Sequence, residues 1–136
     1  MTEHCEILIV DDEPVVGERL KAIIEKDGHR VEAFVDPIAA VSRLMEKTYD
    51  IVITDIRMKQ MDGIQIMEKV LEKSKRTRVI MITGYATLEL AREALRKGAF
   101  DFIAKPFKLK EIRKAIDRAR EALVAQHGDS AKGRRV

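Results

Sequence analysis

Five polar residues of this sequence each follow a short apolar run, and their types could do chemistry together. They are three carboxylates, one hydroxyl and one ammonium group, on Asp11, Asp12, Asp55, Thr83 and Lys105. Three carboxylates crowded into one place would repel one another unless a cation or a lysine neutralised them. The set supplies the lysine, and carboxylate oxygens are the hard ligands that Mg²⁺ prefers. The residue types therefore predict a Mg²⁺ site with a lysine beside it.

Each of these residues, taken alone, also has an ordinary structural explanation. Asp11, Asp12 or Glu13 can cap a helix, a threonine can hydrogen-bond a loop, and a surface lysine can simply be solvated. The combination favours a functional site only if the fold brings the residues to one edge. The prediction therefore depends on the elements that position them.

The chain alternates β-branched runs with longer amphipathic stretches, which indicates five βα units around a parallel sheet. Strands are predicted at 7–10, 31–35, 51–53, 79–82 and 100–104, and helices at 14–26, 37–47, 62–73, 87–97 and 109–124. The first, third and fourth strands are wholly apolar, as central strands must be, whereas the alternating second strand is predicted at an edge. Ligands of such sheets bind beyond the carboxyl ends of the strands, where the five polar residues should converge.

The predicted helices begin with recognisable capping sequences. Pro14 and Pro37 each follow an acidic residue, and proline is common in a first helical turn. Asp62 and Gln65 have the spacing of a capping box. The apolar face of the second helix is predicted to contain Ile38, Val41, Leu44 and Met45.

Composition limits the class of protein. The 136 residues suffice for one domain, and 46% hydrophobic with 36% charged residues is typical of a globular protein in water. No apolar run approaches the roughly 20 residues of a membrane-spanning helix, and the acidic N-terminus lacks a secretory signal. We therefore expect a cytoplasmic protein without membrane contact. The single cysteine, Cys5, cannot form an internal disulfide.

The charge pattern does not favour nucleic-acid binding. The net charge is +3, but basic residues are dispersed among acidic ones, and aromatic residues are only 4%. A stacking surface for single strands is not predicted, so we expect no direct nucleic-acid binding by this domain. After Gln126 the chain has two glycines and no apolar periodicity. We expect residues 126–136 to be a flexible tail or the start of a linker.

Four motifs, in this order, resemble the receiver domain of response regulators in two-component signalling. They are VDDEP, TDIRMKQMDG, ITGYA and FDFIAKPF. The resemblance covers about residues 5–125, and the phrases GAFDFIAKPF and MITGYATLELAREAL are most similar to receivers of the nitrogen-regulation type. It implies an α/β, flavodoxin-like (βα)5 fold, doubly wound with strand order 2-1-3-4-5. The domain would be either an excised part of a transcriptional activator or a stand-alone regulator.

The resemblance also implies a role for each residue of the site. Asp55 would take a phosphoryl group from the phosphohistidine of a sensor histidine kinase. The oxygen ligands of Mg²⁺ would come from Asp11 (through water), Asp12, Asp55 and the backbone carbonyl of Arg57. The ion and Lys105 would neutralise charge on the transferring group, and Thr83 would hydrogen-bond a phosphoryl oxygen in the product.

A switch is implied by the same resemblance. On phosphorylation Thr83 would move toward the phosphate and Phe102 would turn inward, altering the face of the fourth helix, fifth strand and fifth helix. An ordinary core aromatic explains Phe102 equally well. The Lys105–Pro106 peptide is expected to be cis. An output domain or a downstream protein would read the face, and the charges of the last helix fit either a homodimer contact or plain solvation.

Two departures from the family pattern lie beside the acceptor. Lys59 and Gln60 follow Met58, where the family commonly has proline, so a more mobile and more basic loop is expected without loss of a catalytic group. Arg57 and Tyr85 occupy positions that in this family influence how long the phosphate survives. Their bulk and charge predict slow to moderate autodephosphorylation.

Three other functions stay open on sequence alone. A phosphatase of the haloacid-dehalogenase kind also uses an Asp nucleophile with Mg²⁺, but it needs a second Asp where this chain has Arg57. A flavodoxin-like nucleotide-binding module needs a glycine-rich phosphate loop where this chain has carboxylates. A receiver that has lost phosphorylation and serves only for docking would not bind Mg²⁺.

Overall fold

Five strands and five helices alternate along the part of the chain that the structure, a computed structural model, describes: residues 4–84 and 87–135, with side chains described as far as Gln126. The strands are β1 (Glu6–Val10), β2 (Arg30–Phe34), β3 (Ile51–Asp55), β4 (Arg78–Thr83) and β5 (Asp101–Ala104). The helices are α1 (Pro14–Lys26), α2 (Pro37–Glu46), α3 (Gly63–Lys73), α4 (Leu88–Arg96) and α5 (Leu109–Arg135). All ten predicted elements are confirmed.

The last helix is the one whose bounds differ most from the prediction. Its end was expected near Val124, whereas α5 is assigned through Arg135. Apart from Gln126, the side chains of the tail predicted at 126–136 lie outside the described part of the chain, so the flexibility of this tail stays a prediction. None of the helices in the described part of the chain combines the length and apolar character needed to cross a bilayer.

The strands form one parallel sheet in the order β2-β1-β3-β4-β5, which confirms the predicted order and the edge position of β2. The order reverses direction between β1 and β3, because the chain first adds β2 on one side of β1 and then continues on the other. Such a reversal leaves a crevice at the carboxyl ends of the two strands. The fold thus places the ends of β1 and β3 side by side at the predicted site.

Two apolar layers cover the two faces of the sheet. Alternate residues of β1 point to opposite faces, so Ile7 and Ile9 belong to the layer with α1 and α5. Leu8 and Val10 belong to the layer with α2, α3 and α4. All four side chains are fully buried, so β1 is held from both faces and its last residue fixes where the following carboxylates begin.

The ends of the helices confirm two predicted caps and correct a third. The Asp36 side chain accepts the N–H of Ile38 at 2.9 Å, and Asp62 with Gln65 forms the predicted capping box of α3. At α1, however, the residue before the helix is Glu13, and its side chain makes no capping hydrogen bond. The carboxylates after β1 are therefore not explained by capping through Glu13.

The buried face of α2 differs from the predicted one. Ile38 and Met45 are 47% and 54% exposed, so their predicted burial was wrong. The prediction is confirmed for Leu44, which is buried, and the helix also buries Pro37 and Ala40. Ala40 and Leu44 belong to the apolar layer on this face of the sheet, whereas Ile38 and Met45 lie on the more exposed side of the helix.

Candidate functional site

The five polar residues predicted to converge all lie at the carboxyl end of the sheet. Asp11 and Asp12 follow β1, and Asp55 is the last residue of β3. Thr83 is the last residue of β4, and Lys105 directly follows β5. The strands are in register at these ends, since Val10 pairs with Thr54, Asp55 with Ile82, and Thr83 with Ala104. Four separate segments of sequence therefore meet at one edge.

Three carboxylates form a compact cluster at this edge. One ligand oxygen from each of Asp11, Asp12 and Asp55 lies within 4.8 Å of the others. Asp11 is 0% exposed and Asp55 only 5%, whereas Asp12 is more accessible to solvent. The cluster is therefore approached from the side of Asp12.

The ammonium group of Lys105 joins the cluster. Its Nζ lies 2.7 Å from Oδ2 of Asp55 and 2.9 Å from Oδ2 of Asp11. A third carboxylate oxygen, Oε1 of Glu13, lies 3.1 Å away. Sequence reasoning treated Glu13 only as a candidate cap and missed this contact. Its position two residues after Asp11, in the same loop, was the available signal.

Burial and charge set the protonation of the site. Burial raises the pKa of Asp11, and the contact with Lys105 offsets this effect only in part. Burial alone would lower the pKa of Lys105, but its contacts with Asp11 and Asp55 outweigh burial and raise it. The lysine is consequently a fixed positive charge at neutral pH.

The carboxylate oxygens have unused capacity for a cation. Oδ1 of Asp11 accepts the N–H of Glu13 at 2.9 Å, and Oδ1 of Asp55 accepts the N–H of Arg57 at 3.2 Å. Oδ2 of Asp11 is buried and accepts no hydrogen bond from the described residues, although it forms the ion pair with Lys105. A buried oxygen with spare lone pairs, next to two further carboxylates, fits a hard divalent cation such as Mg²⁺.

Gly63, the first residue of α3, touches the backbone of Asp55. A Cβ atom at this position would lie 2.3 Å from the Asp55 carbonyl oxygen and 3.0 Å from the Cα of Ile56. The Gly63 N–H also donates to the carbonyl of Ile56 at 2.8 Å. Sequence reasoning missed this constraint, although a glycine directly after the capping residue Asp62 was a visible signal. The start of α3 therefore holds the acceptor strand in place.

The residues predicted to switch lie where they were expected, but their movement is not tested. Thr83 is buried, and its carbonyl accepts the backbone N–H of Lys105 at 2.8 Å. Phe102 is half-buried and packs on the layer with α2, α3 and α4. The Lys105–Pro106 peptide is cis, as predicted. Tyr85 lies outside the described residues.

A cavity of about 540 Å³ adjoins the carboxylates between the loop after β3 and helix α4. Its lining includes Asp12 of the carboxylate cluster together with Arg57, Lys59, Leu90 and Glu93. The departure from the family pattern at Lys59 therefore adds a cation to the wall of this cavity. The cavity gives solvent-sized molecules a route toward the exposed side of the cluster.

Comparison with known sequences identifies similar proteins. A family model described as the response regulator receiver domain matches residues 7–117. The chain is 40% identical over 119 residues to the regulatory protein AtoC of Escherichia coli (strain K12), a match that covers 88% of this chain and 26% of AtoC. The chain thus spans about a quarter of the length of the curated relatives it matches.

Solved structures share the fold. NtrX from Brucella abortus superposes with a TM-score of 0.88 at 28% identity, over 95% of this chain and 29% of the NtrX chain. The beryllofluoride-activated NtrC4 receiver domain dimer gives a TM-score of 0.82 at 30% identity, over 87% of this chain and 98% of the NtrC4 chain. These matches confirm the resemblance to receivers of the nitrogen-regulation type.

Proposed function

The chain belongs to the family of response regulator receiver domains, and we propose that it accepts a phosphoryl group on Asp55 from a sensor histidine kinase. The observation that carries this proposal is the contact of Asp55 with Lys105 at 2.7 Å inside the three-carboxylate cluster. Phosphoryl transfer to a carboxylate needs a positioned nucleophile and positive charge for the transferring oxygens. The site provides both.

Each contact of Asp55 has a part in the proposed reaction. One carboxylate oxygen forms a bond to phosphorus while the phosphorus–nitrogen bond of phosphohistidine breaks, and its electron pair returns to the imidazole nitrogen. The N–H of Arg57 donates a hydrogen bond to Oδ1 of Asp55, and Gly63 packs against the backbone of Asp55. Lys105 is already positioned to balance charge on the phosphoryl oxygens. The buried hydroxyl residue Thr83 would hydrogen-bond one of these oxygens in the product.

Asp12 and Asp55 would hold Mg²⁺ directly and Asp11 through water, with the backbone carbonyl of Arg57 as a further ligand. The cluster geometry and the buried Oδ2 of Asp11 support this assignment. When bound, Mg²⁺ supplies positive charge that offsets the negative charge on the phosphoryl oxygens. The protein itself contributes orientation and the fixed charge of Lys105. In this proposal the domain assists its own phosphorylation and dephosphorylation.

Phosphorylation would change the face formed by α4, β5 and α5, through Thr83 and Phe102. An output domain or a downstream protein would read that face, in the cytoplasm and most directly in transcriptional regulation. The names of ZraR and DctD, which are transcriptional regulatory proteins, support this reading. The NtrC4 receiver is by name a dimer when activated, which supports a homodimer of this chain on activation.

Two basic residues of α5 form ion pairs within the domain. Arg113 pairs with Asp27, the residue directly after α1, at 2.9 Å, and Arg118 pairs with Asp101 of β5. Two of the basic residues that sequence analysis left as solvated or dimer-forming are thus engaged within the domain. A dimer through this face would have to use other residues of α5 or rearrange these pairs.

Intact-mass measurement tests the phosphoacceptor role. Wild type incubated with a small-molecule phosphodonor and Mg²⁺ is expected to gain one phosphoryl group, whereas Asp55→Asn and a chelated wild-type sample gain none. Circular dichroism would verify that the variant is folded. An adduct that persists in Asp55→Asn would contradict the assignment.

The same measurement separates the alternatives. No adduct and no Mg²⁺ binding would indicate a docking domain that has lost phosphorylation, and turnover of a chromogenic phosphate ester would indicate a phosphatase. Spectra taken after removal of the donor report the lifetime of the adduct. We expect a slow to moderate decay, because Arg57 restricts attacking water, and a lifetime of only seconds would contradict that expectation.

A further inference from the structure

Glu13 contacts Lys105 but lies outside the carboxylate cluster that fits a metal. Its Oε1 is 3.1 Å from Nζ, and its side chain is 65% exposed. As the residue before α1 it makes no side-chain capping bond, and its backbone N–H is held by Oδ1 of Asp11. The described contacts of its carboxylate therefore point only toward the lysine.

Three carboxylate oxygens surround the ammonium group of Lys105. Nζ donates a hydrogen bond to Oδ2 of Asp55 at 2.7 Å and to Oε1 of Glu13 at 3.1 Å, and Oδ2 of Asp11 lies 2.9 Å away as an ion pair. A phosphoryl oxygen that binds Lys105 therefore competes with these carboxylates for the ammonium group.

The exposures of the three partners decide which one leaves. The side chains of Asp11 and Asp55 are 0% and 7% exposed, so a carboxylate released there would lose its cation without gaining water. The Glu13 carboxylate is mostly in solvent, and an exposed ion pair contributes only about 0–1 kcal/mol. Glu13 consequently gives up the lysine most readily, and its backbone can stay in place while its side chain turns away.

We propose that the Glu13 carboxylate is a placeholder for the phosphoryl group on Lys105, which presupposes the phosphoacceptor function proposed above. Before phosphorylation this carboxylate accepts a hydrogen bond from the lysine and holds the ammonium group at the exposed side of the site. The incoming phosphoryl oxygen accepts that hydrogen bond in its place, and the Glu13 side chain turns into solvent. Glu13 is thus a positioning residue, and it lowers the affinity of the site for the anion that replaces it.

Beryllofluoride, a tetrahedral anion that mimics a phosphoryl group on a carboxylate, is the probe for a calorimetric titration at saturating Mg²⁺. Glu13→Gln is expected to bind it about two- to fivefold more tightly than wild type, the range that loss of an exposed competing ion pair allows. Glu13→Asp keeps the charge but is shorter by one methylene, so it should also bind more tightly. Glu18→Gln removes the same charge from an exposed position of α1 and should match wild type.

The outcomes separate the placeholder from other roles of Glu13. If Glu13→Gln binds beryllofluoride no more tightly than wild type, the placeholder is wrong. If Glu13→Gln binds more tightly but Glu13→Asp matches wild type, the tighter binding comes from a long-range charge effect and not from release of Lys105. A loss of Mg²⁺ affinity of about tenfold or more in Glu13→Gln would show that Glu13 supports the metal site instead.

The titration of wild type distinguishes this inference from the proposed function. Wild type that binds beryllofluoride with Mg²⁺, while the Glu13 variants behave as wild type, would overturn the placeholder and leave the phosphoacceptor role intact. Wild type that neither binds beryllofluoride nor forms a phosphoryl adduct would overturn both.

Discussion

The two ends of the sheet use similar charged residues in opposite ways. At the carboxyl end, one cation, Lys105, is shared by three carboxylates, and Oδ2 of Asp11 accepts no hydrogen bond from the described residues. Toward the amino ends of β1 and β3 lies a second group, the amino-end network, made of Glu6, Glu32, Arg43, Lys47 and Tyr49. There Glu32 accepts two bonds from Arg43, at 2.8 and 3.0 Å, and one from the Tyr49 hydroxyl at 2.8 Å.

The amino-end network satisfies its own charges. The bonds from Arg43 lower the pKa of Glu32 to about 2. Burial, followed by the bond to Glu32, raises the pKa of Tyr49 to about 12, so the tyrosine stays neutral. Lys47, directly after α2, pairs with both Glu6 and Glu32, which joins the end of α2 to β1 and to the edge strand β2. A network of this kind pairs its charges within the chain and stabilises the fold.

The carboxyl end differs because its negative charge exceeds what the chain supplies in cations. Nearby carboxylates repel when they are buried together, and an added cation relieves that repulsion. The difference teaches that binding capacity in this domain comes from charge left uncompensated, not from the number of charged residues. Substitution of a charged residue should therefore affect phosphoryl transfer at the carboxyl end and only stability at the amino end.

Removal of Lys105 is expected to have the largest effect. Lys105→Met leaves the buried carboxylates of Asp11 and Asp55 without their cation, so phosphoryl transfer should fall about 100-fold or more. In chelated buffer the free energy of unfolding should drop by about 3 kcal/mol, because a buried charge pair is broken from one side. Saturating Mg²⁺ should recover part of this loss of stability.

Intact mass against time and urea denaturation measure these two quantities. Lys110→Met, an exposed lysine of α5, is the matched control and should behave as wild type. Wild-type rates of adduct formation in Lys105→Met would show that the lysine has no part in the reaction.

Substitution of Gly63 is expected to have the next largest effect. In Gly63→Ala the new Cβ would meet the backbone oxygen of Asp55 at 2.3 Å, so either α3 or the acceptor strand must move. Overpacking of this kind costs about 1–3 kcal/mol in the free energy of unfolding. Displacement of Asp55 from Lys105 should also slow adduct formation, because the reaction depends on position.

The control for this experiment is Gly17→Ala within α1. Its Cβ would lie 3.7 Å from the Cβ of Ala33, an ordinary contact, so the variant should be neutral or more stable by up to about 1 kcal/mol. Equal stability and equal rates in Gly63→Ala and Gly17→Ala would contradict the role given to the start of α3.

The amino-end network should give the smallest effect and no change in phosphorylation. Glu32→Gln should lower the free energy of unfolding by about 1 kcal/mol at neutral pH, since partial exposure of Glu32 and Arg43 screens their pair. The folded-state pKa of Glu32 is lowered from 4.5 to about 2, so its contribution is present above the unfolded value and is lost as pH falls through that range.

Urea denaturation of wild type and Glu32→Gln, between neutral pH and about pH 3, checks the sign of this contribution. The difference between the two proteins should shrink toward acid. A difference that grows toward acid, or a change in adduct formation at neutral pH, would contradict the separation of the two ends.

Much of the fold followed from local patterns. Apolar runs such as that of β1 predicted central strands, and the pairs Asp36 with Pro37 and Asp62 with Gln65 marked where helices begin. The failures arose where tertiary contact overrides local pattern. Ile38 and Met45 have the spacing of a buried stripe, but α2 buries Ala40 and Leu44 and leaves the two larger side chains largely exposed, a choice that the periodicity of the sequence does not record.

The sequence by itself determined which chemical groups follow the strands. An apolar run followed by Asp11 or by Asp55 is visible in the sequence without knowledge of any tertiary contact. The sequence also determined the family, through four motifs that lie in order along the chain from VDDEP to FDFIAKPF. Only the tertiary structure decided that Glu13 shares Lys105 and that Gly63 lies against Asp55, since these contacts join segments far apart or depend on a few tenths of an ångström. Distances between segments arise from packing of the whole sheet, and packing is the sum of many contacts that no single motif specifies.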